Sequence, residues 1–264
     1  MNWLTRTLLT IVSSAVVVSV PVSGNSETAA ATPPWIVAQI AKALPDGVFF
    51  KDTDERVVAL TIDDVPAPHE DGDVSTQIIL DAIAKHNAQA DPDRQVTATF
   101  FVISSHLDDG STIIDRIRDQ GHEIGNHGTT DGTHALMTPE AFEQQMREAH
   151  ERLAQFTDQP IRWYRPGRGL YTQDMVAALH RMEGYEPRLA LASMLPLDTY
   201  KPVDDWRFTS WYAQQHIFPG AILVLHGGSV EKSEQTAKAL EVMLEDLNER
   251  GYRVVTLSAL WDRF

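Results

Sequence analysis

Two adjacent aspartates end the apolar run Val57 to Ile62, in the stretch LTIDDVP. About sixty residues later, Gly121 to His134 reads GHEIGNHGTTDGTH, with three histidines and two carboxylates in fourteen residues. Carboxylates and imidazoles are the oxygen and nitrogen donors that hold divalent cations, and they also move protons near neutral pH. In extended backbone the side chains of Asp63 and Asp64 point apart, so one can meet a cation while the other faces a reacting water. His127 and Asp131 stand four apart, the spacing of one side of a single helical turn. With Asp64 they make two oxygens and one imidazole, a facial set with positions left for water. His134 is the rival third ligand, while His122, just before EIGN, reads as a turn-fixing or packing residue.

Two more polar residues fall where apolar runs end. His226 closes AILVLH ahead of Gly227 and Gly228, and an imidazole with a pKa of about 6.5 can donate a proton at neutral pH. Arg165, in YRPGRG, is a permanent cation that can hold an aspartate ionised or form a structural ion pair.

Positioning such groups requires a scaffold, and the chain alternates short β-rich runs with helical patterns. VVALTI, VTATFFVI, IRWYRP, RLALAS, AILVLH and YRVVTLSAL read as strands, with EIGN a shorter one. STQIILDAIAKHNA, STIIDRIRDQG and SEQTAKALEVMLEDLNER read as helices, the last two stopped by Gly121 and Gly251. TPEAFEQQMREAHERLAQF starts with Thr138 as N-cap and Pro139 in the first turn, with Phe142, Met146, Ala149, Leu153 and Phe156 on one face. Alternation of this kind predicts parallel strands covered by helices, with chemistry at the C-terminal strand edge. Asp63, Asp64, Arg165 and His226 all fall at such ends.

The chain has 264 residues, 43% of them hydrophobic, a formal charge of −15 and no cysteine. The charge argues against nucleic acid as a partner, and without thiols any metal is held by oxygen and nitrogen. MNWLTR, the apolar Leu8 to Val22 and the polar SGNSETAAATPP have the layout of an export signal. The run is short against the roughly twenty residues of a membrane span; an uncleaved anchor is the alternative and the only membrane contact expected. Residues 1–34 are therefore set apart as signal or anchor plus linker, residues 35–264 are expected to form one domain, and the protein is expected outside the cytoplasm.

The order DD, H-x-x-x-D, R-P-G and L-x-L-H resembles the polysaccharide deacetylases with the NodB homology domain, carbohydrate esterase family 4. LTIDDVP is similar to that family's T-F-D-D-G-P, ATFFV to its next strand, GHEIGNH to the approach to its metal motif, RPGRG to R-P-P-Y-G, and GYRVVTLSAL to its closing strand. The resemblance implies an irregular (β/α) barrel of seven or eight strands in the α/β class. It implies Asp63 as catalytic base, Asp64 and His127 as ligands, Arg165 as the residue tuning the base, His226 as general acid and Leu223 lining the acetyl pocket. The reaction implied is hydrolysis of N-acetyl groups on an N-acetylglucosamine polysaccharide with a divalent cation, zinc first, cobalt or manganese as alternatives. Three positions depart from the family pattern. Asp131 stands where a third histidine is usual and is preferred to His134. Gly167 and Arg168 replace a proline–aromatic pair, which changes the substrate surface. The tuning aspartate is Asp198 or Asp205, the former preferred for its strand-end placement. Rival readings are hydrolysis of a small amide or O-acetyl ester, and a non-catalytic glycan-binding relative. Trp163, Trp206 and Trp211 are open between sugar stacking and the core.

Overall fold

The computed structural model describes residues 34–264 apart from Glu70 and Pro196; the export or anchor segment plus linker, expected over residues 1–34, lies outside these except for Pro34. The chain begins with α1 (Pro34–Ala43) and the short β1 (Gly47–Val48). Next come β2 (Val57–Val65), α2 (Val74–Asn87), β3 (Ala98–Val102), α3 (Ile113–Asp119), β4 (Glu123–Asn126) and α4 (Pro139–Leu153). The second half holds α5 (Gln173–Leu179), β5 (Leu189–Ala190), α6 (Trp206–Gln214), β6 (Ile222–His226), α7 (Val230–Glu249), β7 (Arg253–Val255) and α8 (Leu257–Arg263). One parallel sheet runs β4-β3-β2-β6, with β7 pairing the start of β2; β1 and β5 form a second parallel pair.

Burial explains why β2 sits at the centre. Eight of its nine residues are buried, as a strand covered on both faces requires. On one side, Leu60 and Ile62 join Ile79 and Ile83 of α2, Met146 of α4 and Leu240, Met243 and Leu244 of α7 in the larger apolar cluster. On the other, Val57 and Ala59 meet Val48, Phe101, Trp163, Ala190 and Ile222, so strands of both sheets enclose a second, smaller core. Helix starts are fixed by hydroxyls: Thr138 accepts from the Ala141 N–H, Ser229 from that of Lys232 and Thr256 from that of Ala259.

Three expected elements change. IRWYRP forms only a single bridge, Tyr164 to Asn126, before Pro166, which has no N–H to extend a ladder. RLALAS pairs over Leu189 and Ala190 alone. YRVVTLSAL is a strand only to Val255, because the Thr256 hydroxyl caps a helix in which Leu257 and Leu260 share the buried face.

His122 packs beneath the site. Its Nδ1 accepts the Ala98 N–H at 3.2 Å and its ring lies against Phe100, while the buried Nε2 has no partner among the described residues. Burial lowers its pKa to about 4, and burial lowers those of His134 and His216 too. The unfolded chain therefore binds more protons than the native one between about pH 6.5 and 4. Stability supplied by neutral His122 is complete above that window and falls with pH through it. Denaturant midpoints measured across the window should drop toward acid, and His122→Asn, which keeps an acceptor for Ala98, should flatten the slope.

Candidate active site

The site is built on the C-terminal end of β2. β2 loses register with β3 between Ile62 and Val65, and Asp64 takes a left-handed conformation, φ 62°. For an aspartate this costs on the order of 1 kcal/mol, and it turns Asp64 away from Asp63. The two carboxylates thus diverge by a kink, where simple strand alternation had been expected to separate them. Asp63 stays in register with His226 of β6. Gly227 lets the following loop lie against this kink: a Cβ there would come 2.8 Å from the Val65 side chain. The glycines after His226 serve close approach, since His226 itself is only 8% exposed.

Asp63 and Arg165 form a buried ion pair at 2.7 Å. The same guanidinium nitrogen donates to the Thr61 hydroxyl at 2.7 Å, and the rest of the fork donates to the carbonyls of Ala190 (3.2 Å) and Leu191 (3.0 Å). Its plane also covers the Phe101 ring, 4.2 Å from the centroid. Such a fork holds one carboxylate oxygen in a fixed place and satisfies a charge that burial would otherwise make costly. Thr61 and β5 were invisible as site components in the sequence, because one looks like a strand interior and the other supplies only backbone.

His127 is 4% exposed. Its Nδ1 lies 2.8 Å from the Arg165 carbonyl, which can only accept, so Nδ1 carries the proton. Nε2, 3.2 Å from Asp64 Oδ1, is then the lone-pair atom of the neutral ring. A ring lone pair facing a carboxylate oxygen needs a cation or a proton between them, and a carbonyl behind the other ring nitrogen is the usual support of a metal-ligating histidine. Burial disfavours charge on His127, but the Asp64 hydrogen bond and the charges of Asp63 and Asp64 outweigh it and raise its pKa. Burial likewise works against the Asp64 carboxylate, and His127 outweighs it, so that pKa is lowered.

On the other side of Asp63, His226 Nδ1 lies 3.0 Å from Asp198 Oδ1, and the His226 backbone N–H donates to Oδ2 at 3.0 Å. Lys232, in the first turn of α7, reaches Asp198 Oδ2 at 2.9 Å and donates to the Asp198 carbonyl at 2.6 Å. Desolvation opposes the imidazolium, but the Asp198 charge and hydrogen bond, helped by Asp63 and Asp64, raise its pKa to about 9. Asp198 is held ionised: burial is overcome by His226 and Lys232, and its pKa falls to about 2. Asp205, the rival, instead caps α6, accepting the Arg207 N–H at 2.8 Å. Lys232 had no sequence signal beyond a charged residue in a helix start.

The remaining candidates are placed differently. Residues 127–133 form a loop rather than the helical turn that His127 and Asp131 were expected to share. Asp131 faces Arg168, 3.1 Å from its guanidinium. Among the described residues no group of three His, Asp or Glu side chains is close enough to hold an ion. His134 is fully buried, with Nδ1 at 2.7 Å from the Tyr164 hydroxyl and Nε2 at 3.1 Å from the Thr130 carbonyl. Both its nitrogens are engaged, which removes it as a ligand in this arrangement. Leu223 pairs in register with Leu60, three positions from His226, and so lies on the opposite face of β6, fully buried against the helices. Leu223 is thereby corrected to a packing residue; Val224, two before His226, shares the face of the acid. Gly167 packs on the loop of Gly132, where a Cβ would stand 2.1 Å from the Gly132 carbonyl oxygen. Trp163 is buried with its N–H on Ser258 at 2.9 Å, so it does not stack on a ligand. Trp211, 38% exposed, and the partly buried Trp206 belong to α6.

An acidic pair, an imidazole and a second imidazole–carboxylate pair thus collect at the strand ends of this α/β fold. Residues 50–186 match the polysaccharide deacetylase family, and the chain belongs to that family. It is 30% identical over 219 residues to a chitooligosaccharide deacetylase of Rhizobium leguminosarum bv. trifolii, covering 78% of this chain and 92% of that one. A peptidoglycan-N-acetylglucosamine deacetylase of Bacillus cereus is 27% identical over 206 residues, 78% of this chain and 88% of the relative. Among solved structures, a family 4 acetyl xylan esterase from Clostridium thermocellum, in complex with a cobalt ion, aligns with a TM-score of 0.64 at 26% identity, covering 78% and 90% of the two chains. The architecture is the irregular (β/α) barrel of the carbohydrate esterase family 4 deacetylases.

Proposed function

We propose that this protein hydrolyses N-acetyl groups on an N-acetylglucosamine-containing polysaccharide, of peptidoglycan or chitin type, and releases acetate. The observation that carries the reading is the register pair Asp63–His226, each member held by its own partner, beside the Asp64–His127 pair. The lone pair of His127 and the oxygen of Asp64 suit a divalent cation, zinc first, with cobalt or manganese also matching an oxygen–nitrogen site. Asp131 would complete the set once released from Arg168. Such a cation would supply electrophilic help at the acetamide carbonyl and lower the pKa of a water toward about 7.

The chain's own residues do the rest. Asp63, oriented by its ion pair with Arg165, takes the proton of the attacking water. His226, kept protonated by Asp198, delivers a proton to the departing sugar nitrogen, so that the C–N bond breaks to an amine and acetate. Gly167 and Arg168 stand where the family resemblance puts a proline and an aromatic ring; Gly167 is buried against Gly132, and the exposed Arg168 is the one assigned to the sugar-facing surface. Polymers of this class lie outside the cytoplasm, which agrees with the export layout of the first residues; no helix of the described residues is long and apolar enough to cross a membrane.

The test is acetate release from a panel of N-acetylglucosamine polymers, after chelation and after adding back Zn²⁺, Co²⁺ or Mn²⁺. Metal-restored acetate with matching free amine on the polymer is expected. Polymer binding without acetate under every metal would identify a glycan-binding protein, and cleavage of a small amide or O-acetyl ester alone would replace the substrate class.

A further inference from the structure

We infer that Arg168 sets how tightly this site holds its cation, by competing with the cation for Asp131. The inference rests on the cation reading given above and adds a residue that reading does not require.

The loop after His127 and the loop after Arg165 are clasped together. Gly167 touches the Gly132 backbone so closely that no side chain fits between them: a Cβ would stand 2.1 Å from the Gly132 oxygen. The flanking residues are thereby set face to face, and Arg168 Nη2 meets Asp131 Oδ2 at 3.1 Å. Arg168 reaches this place with φ 62°, a left-handed conformation that a non-glycine side chain adopts at a cost. Asp64 and His127 meet without a third carboxylate, and Asp131, on the loop that begins at His127, is held by the Arg168 guanidinium instead.

The pair is exposed, with side-chain accessibilities of 59% for Arg168 and 42% for Asp131. An exposed ion pair is worth little, so a divalent cation can displace the guanidinium at modest cost. Arg168 then acts as a tunable competitor, weakening cation binding by its hold on Asp131 and by its own repulsion.

The experiment measures Co²⁺ affinity of the full chain by titration calorimetry, independent of turnover. Wild type, R168Q, R168G, D131N and the R168Q/D131N double variant are compared. R168G suits the left-handed backbone and guards against misfolding of the Gln variant; both side chains are exposed, so melting curves should coincide. Tightening of about three- to tenfold is expected in R168Q and R168G, the combined loss of a weak ion pair and a nearby positive charge. D131N should bind more weakly than wild type, and in its background R168Q should give a clearly smaller gain. Unchanged or weaker binding in both Arg168 variants overturns the inference, as does an equal gain in the D131N background, which would mean simple repulsion without competition. If neither wild type nor the Arg168 variants bind Co²⁺, the cation reading itself fails. If wild type binds Co²⁺ and loses it in H127A while the Arg168 variants match wild type, only the competition is refuted.

Discussion

Replacing His226 with asparagine is expected to lower kcat for acetate release by about 100- to 10,000-fold, the range of a positioned general acid, while the fold and the cation remain. An amine leaves an acetamide poorly unless a proton reaches its nitrogen as the C–N bond opens. Among the described residues beside Asp63, His226 is the group suited to supply it, being protonated at neutral pH with a pKa raised to about 9. The same value fixes the alkaline side of the pH profile. A general acid works only in its protonated form, so kcat should hold through neutrality and fall as pH rises through about 9. Asp198→Asn removes the largest charge that raises the pKa, leaving burial, which lowers it, opposed only by the smaller effects of Asp63 and Asp64. The alkaline limb should then move down toward or below pH 6.5, and a KM effect alone would not reproduce that displacement. Stability follows the same linkage: the His226–Asp198 contribution is complete below about pH 6.5 and is lost as pH rises through about 9. An H226N enzyme with wild-type kcat, or a D198N profile superimposable on wild type, would remove His226 from the acid role.

What the sequence disclosed about this site follows from which interactions are local. The DD at the end of β2 and the histidine at the end of β6 could be read because a buried parallel strand ends abruptly in polar residues, and strand ends collect on one edge. Asp198 over Asp205 could be argued on the same ground, and Asp198 lies against His226 while Asp205 caps α6. Asp131 could not be settled that way. A spacing of four means a shared face only if the segment is helical, and residues 127–133 are a loop tethered by Asn126, Gln145 and the Gly132–Gly167 contact. Leu223 was assigned to the pocket by resemblance, whereas alternation from His226 puts it on the helix side. Lys232 and Thr61 gain their roles from partners 34 and 104 residues away, Asp198 and Arg165. No local pattern marks such pairings. The closing segment shows the converse failure, since VVTLSAL satisfies a strand pattern until one notices that Thr256 can cap a helix and that Leu257 and Leu260 are three apart.

His127→Ala should abolish the cation site outright. His127 supplies a ring nitrogen that faces Asp64, with its other nitrogen anchored on the Arg165 carbonyl. Without the ring, Asp64 is a lone carboxylate, and Asp131 is engaged elsewhere; neither alone outcompetes water for a divalent ion that favours mixed oxygen and nitrogen coordination. Metal content after dialysis should fall from about one ion per chain to near background, and acetate release should drop by at least ~100-fold, since the electrophilic contribution amounts to several kcal/mol. The substitution also strips the Arg165 carbonyl of a buried donor, a cost of about 1–3 kcal/mol, so the melting temperature should fall measurably without loss of cooperativity. His127→Gln separates these effects: an amide can still donate to the carbonyl, so stability should recover while the ion remains absent. Activity that stays low when stability returns ties His127 to the cation, because the scaffold is then intact and only the ring lone pair is missing. Full activity with stoichiometric metal in His127→Ala would place the ion elsewhere, and the Asp64–His127 contact would then be a histidine–carboxylate pair of purely structural value.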